Sequence, residues 1–136
     1  MAGLKPSALR ALVASEVTAA SLDAETHMGL VFLDKPELDA GDAPRSFVVR
    51  FDSLTKRTPS TIALCSSRET SFVVEIKYDS APESQDMVAD DARHVHDQLD
   101  GLSGNTNVIN RPETDSVYDP DLGVATYTTR IMHKVP

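Results

Sequence analysis

The chain has 136 residues, 40% hydrophobic and 25% charged, with 13 Lys and Arg against 21 Asp and Glu and a formal net charge of −8. This length suits one domain with a modest core, and four Phe, three Tyr and no Trp make that core aliphatic. Acids spread along the chain argue against a grip on nucleic-acid phosphates, the one cysteine excludes an intrachain disulfide, and no apolar run approaches the ~20 residues of a membrane span.

The opening MAGLKPSALRALVASEV lacks the apolar core and cleavage site of a signal peptide, so synthesis is expected in the cytoplasm. Within it, Leu9, Leu12, Val13 and Val17 share one helical face, with Ser7 as cap or Pro6 in the first turn. Packing on a sheet is the simplest use of that face. A membrane-surface role would call for more basic residues opposite it.

Residues 18–45 carry the weakest pattern. Leu30–Leu33 reads as a brief strand or as a loop anchored by Phe32, and PELDAGDAPR after it reads as an exposed loop. Ser46–Phe51 alternates as a strand, with Phe47, Val49 and Phe51 on one side. Asp52–Ser60 is polar and contains Lys56 and Arg57, which predicts a protruding loop; Thr61–Cys65 is a second β-like run, and Ser66–Thr70 a polar turn.

Ser71–Tyr78 is the clearest strand. Phe72, Val74, Ile76 and Tyr78 line the core side, while Val73, Glu75 and Lys77 face solvent or a neighbouring subunit. A helix follows, capped by a Ser80–Glu83 box or by Ser84, with Val88, Ala92, Val95 and Leu99 on its apolar face. Its other face carries Asp86, Asp90, Arg93, Asp97 and Asp100, and Gly101 stands where a left-handed C-terminal cap is expected. Thr106–Asn110 and Val124–Lys134 then read as a closing hairpin, with a turn at Asp119–Gly123. The expected fold is α+β: a mainly antiparallel sheet of about four strands with two helices packed on one face.

Little in the sequence suggests catalysis. His94 and His96 point about 200° apart on a helix, a poor metal pair. Asp90 and Asp91 are placed on or beside a solvated helix face, without the cleft that acid–base chemistry needs. Cys65 in a β-like run reads as a small buried hydrophobe, and no phosphate loop, dinucleotide fingerprint or HExxH motif occurs. No catalytic, cofactor or metal residue is assigned.

The order of elements, with RSFVVRF at Arg45–Phe51, FVVEIKY at Phe72–Tyr78, the helix DDARHVHDQL at Asp90–Leu99 and the closing VATYTTRIMHK, resembles the tail terminator family of long-tailed phages and gene transfer agents. The resemblance implies a structural virion protein, not an enzyme, that caps the tail tube as a ring, most simply a hexamer. It would end tail polymerisation and offer a surface to head-tail connector or neck proteins, with DNA passing through unbound. On that reading Lys56, Arg57, Arg68, Glu75 and Lys77 are candidate subunit or partner contacts. Asp86, Asp90, Asp97 and Asp100, or the loop acids Asp39 and Asp42, are candidates for an acidic lumen or contact face. Two alternatives stand beside it: a neck or head-completion connector, and a small α+β ligand-binding domain or enzyme with a pocket between sheet and helices.

Overall fold

The structure, a computed structural model, describes residues 3–23, 30–56, 67–79, 82 and 84–135. Helix α1 (Pro6–Asp23) leads to a two-residue strand β1 (Val31–Phe32) and to two long strands, β2 (Ser46–Lys56) and β3 (Ser67–Lys77). Helix α2 (Ser84–Asp100) runs into a 3-10 turn (Gly101–Gly104), and β4 (Glu113–Asp119) and β5 (Val124–Lys134) complete the fold. The strands form one sheet in the order β1-β2-β3-β5-β4. It is α+β, as expected, but has five strands and is mixed, because β1 runs parallel to β2 through Val31–Ser46 and Phe32–Phe47.

Cross-strand register explains which side chains become core. Phe47 lies opposite Ile76, Val49 opposite Val74 and Phe51 opposite Phe72, and β3 hands the same face to Ala125, Tyr127 and Thr129 of β5. All but Phe51 are buried, together with Leu9, Val13 and Val17 of α1 and Val88, Val95 and Leu99 of α2. The periodicity of both helices therefore places their apolar stripes in one cluster against one face of the sheet.

Other sequence expectations need correction as well. Asp52–Lys56 continues β2 past a bulge between Phe51 and Ser53, and Ser67–Thr70 belongs to β3. Asp52–Thr55 is exposed, so cross-strand hydrogen bonding rather than burial sets the strand there, whereas Ser67 and Thr70 are polar yet buried, Thr70 Oγ1 lying 2.7 Å from His133 Nε2. The partner of β5 in the closing hairpin is Glu113–Asp119, not Thr106–Asn110, which contributes an isolated bridge from Val108 to His133. β4 escapes a periodicity reading because most of its side chains are exposed. Gly101 is not left-handed: the positive-φ residues described are Arg45 (64°) and Gly123 (65°), and the chain after Asp100 tightens into the 3-10 turn. The mixed face of β3 is partly met by its own chain, since Lys77 Nζ donates to the carbonyls of Asp39 (3.1 Å) and Ala40 (2.5 Å). The Ser80–Glu83 capping box, the Thr61–Cys65 run and Arg57 lie outside the described residues.

Candidate functional site

A charged centre lies where the sequence suggested a solvated surface. Asp91 is on α2, three residues after Val88 and four before Val95, so helical geometry turns it inward. Its carboxylate is 3.1 Å from Arg45 Nη1, with both side chains 1% exposed, and it accepts a hydrogen bond of 2.9 Å from the Tyr78 hydroxyl. Arg45 adopts left-handed backbone just before β2, where its N–H donates to Lys77 O (2.6 Å) and its carbonyl accepts from Val31 N (2.9 Å). One residue thus ties β1, β3 and α2 together. Burial pushes the Asp91 carboxyl above its usual range, while Tyr78 and Arg45 pull it back; burial also raises the Tyr78 and Tyr127 hydroxyls. A carboxylate closed off from solvent by its own guanidinium anchors the helix to the sheet and is poorly placed to meet a substrate. Sequence reading missed the pair, although an acid within the Val88–Val95 stripe was a usable signal.

The acids assigned to the outward arc of α2 do lie there. Asp86, Asp90 and Asp97 are exposed and Asp100 is half-buried, all within about 80° of one another around the helix, with Arg93 in their midst. Asp39 and Asp42 are spoken for: Lys35 Nζ binds Asp39 (2.8 Å) and Asp42 (2.9 Å). The Asp39 backbone N–H, and then Lys35, hold the Asp42 carboxyl below its usual range.

The candidate contact residues are dispersed. Glu75 pairs with Arg50 on the sheet face away from the helices, and Lys77 is bound to the Asp39–Ala40 backbone. These residues flank a groove of about 610 Å³, walled on its other sides by Glu37–Ala40, Leu122 and Val124. Lys56 ends β2 opposite Arg68, which in turn faces His133 across β5 and donates to its neighbour's carbonyl, Ser67 O (2.9 Å). The structure therefore separates Lys56 and Arg68, at one end of the hairpin, from Glu75 and Lys77 at the other.

A second groove, about 340 Å³, runs between α2 and β4 and is lined largely by Val88, Ala89, Ala92, Val117, Tyr118 and Tyr127. His96 Nε2 lies 2.9 Å from Ser116 Oγ and its ring 5.7 Å from that of Tyr127, so this histidine braces α2 against β4. Exposed apolar side chains gather near the sheet edges: Val31 on β1, Phe51 and Leu54 on β2, Val117 on β4. No helix among the described residues is long and apolar enough to cross a membrane. In comparisons with known proteins, the chain matches no family model and no curated protein.

Proposed function

We propose that this chain is a structural subunit of a phage-type tail end, a tail terminator that assembles as a ring on the tail tube. The ring stops tube growth and presents a surface to the head-tail connector or neck proteins. The observation that carries the reading is the order α-β-β-β-α-β-β around one sheet that, among the described residues, leaves strand edges open on β2 and β4, bearing exposed Phe51, Leu54 and Val117. Unpaired edges are a liability in a monomer and a resource in an assembly. The exposed acids of α2 suit a channel that passes DNA without holding it. In this setting the protein belongs to the virion, at the tail end or neck.

Electron microscopy of particles assembled without the protein tests the proposal. Overlong tails without heads are expected. Normal tails beside unjoined heads favour the neck connector, and unaffected particles refute both. The groove containing Arg50, Glu75 and Lys77 favours a second reading, a ligand-binding domain, since charged groups converge there. Specific small-molecule protection of the purified chain against thermal unfolding, lost on Lys77→Ala, would support it.

A further inference from the structure

Strand directions follow from the pairings. β1, β2 and β5 run one way, and β3 and β4 the other. Besides the outer side of the two-residue β1, two longer edges are open among the described residues. One is the outer edge of β4, the last strand in the sheet order. The other is the outer edge of β2 beyond Val49, whose carbonyl accepts from Arg10 Nε (2.6 Å): pairing with β1 has stopped at Phe47, and Phe51–Thr55 are all exposed. If copies keep one orientation about a common axis, β4 of one meets β2 of the next running oppositely. The joint is then antiparallel, the more stable pairing.

The side chains fit this joint. Phe51 and Leu54 are opposite Phe72 and Thr70, so both point to the helix side of the sheet, where they remain 52% and 47% exposed. The apolar groove between α2 and β4 opens beside the other edge. A β2 strand laid along β4 carries Phe51 and Leu54 to that groove. Charge disfavours a two-fold joint through β4. The β4 edge bears Glu113, Asp115 and Asp119, and Arg50 of β2 points to the same face of the sheet, where it pairs with Glu75 yet stays 39% exposed. Glu113 and Asp115 lean on Arg130 yet stay 79% and 74% exposed. Two β4 edges paired to each other would set like charges face to face. The open part of β2 lies toward the Lys134 end of the sheet and β4 toward the Val124 end. Successive copies are therefore staggered, which a closed sheet accommodates by tilting its strands.

We infer that a second copy of this chain occupies the β4 edge and the α2–β4 groove, adding its β2 strand antiparallel to β4 and burying Phe51 and Leu54. The interface is heterologous and self-propagating, as ring closure requires. The inference rests on the assembly reading above and names the surface that performs it.

Cysteine cross-linking of the full chain tests it, in a Cys65→Ser background. Ser53, Thr55 and Val117 all point to the face away from the helices, and a disulfide forms only where Cα atoms approach to about 4.4–6.8 Å. Val117→Cys is combined with Ser53→Cys or with Thr55→Cys, then oxidised in solution and in particles carrying the substituted gene. At least one combination should give a covalent ladder ending in a closed ring, while each single-cysteine chain gives none. Leu54→Asp in the cross-linking chain should lower the linked yield at least tenfold without moving the melting temperature. A Val117→Cys chain that links to itself, or oligomers in native mass spectrometry that link in neither combination, overturn this interface and leave the assembly reading standing. A chain that is monomeric and unlinked in both settings overturns the inference too, and the particles lacking the protein then judge the assembly reading separately.

Discussion

Asp91→Ala should be among the most destabilising single changes in this chain. The substitution removes the carboxylate 3.1 Å from Arg45 while leaving the guanidinium, 1% exposed, inside the fold. Removing one partner of a buried pair costs about 3–5 kcal/mol. The Tyr78 hydroxyl also loses its acceptor, a loss of about 1–3 kcal/mol that overlaps the first because the groups share one network. A total near 4 kcal/mol is a large share of the ~5–15 kcal/mol typical of a folded domain. It corresponds to a fall in melting temperature of about 15 °C for a chain of this size. Urea unfolding followed by circular dichroism, with an unchanged m-value, measures it. Asp91→Asn, which keeps volume and an acceptor for Tyr78, should lose about half as much. A loss under about 1 kcal/mol for Asp91→Ala, outside the buried-pair range, would refute the claim that this pair anchors α2.

Other expectations follow from the same geometry. Arg50→Ala removes an ion pair whose partners are 39% and 24% exposed, so it should cost no more than about 1 kcal/mol in the same urea assay. Gly123 sits at φ 65° with its N–H on Asp119 O and its carbonyl accepting from Tyr78 N; Gly123→Ala should therefore cost about 1–2 kcal/mol in thermal melts. His133 is buried beside Thr70 Oγ1 at 2.7 Å, and burial lowers its pKa. The unfolded chain then takes up the proton first as pH falls, so stability should decline from about pH 6.5 down through the lowered folded value. His133→Gln should flatten that slope in unfolding curves taken at several pH values.

The core face of β3 and the stripes of both helices were legible because burial imposes a period: Phe72, Val74 and Ile76 alternate, and Val88, Val95 and Leu99 recur by helical turns. β4 and the outer half of β2 were not, because a strand exposed on both faces carries no alternation. β1 makes only two pairs, too few to leave a pattern. The acidic arc of α2 was legible for the same geometric reason as its apolar stripe. Arg45 and Asp91 were not, because 46 positions separate them in the sequence and only the tertiary fold brings them together.

The Arg45–Asp91 junction also constrains how the sequence can drift. Glycine at position 45 would relieve the left-handed backbone yet strand a buried carboxylate, and an apolar residue at position 91 would strand the guanidinium. Each single step crosses a stability valley, whereas the paired change to apolar residues lands near level ground. Positions 45 and 91 should therefore change together among divergent copies of this gene, arginine departing only where aspartate does, while the acids on the outward arc of α2 exchange independently of one another.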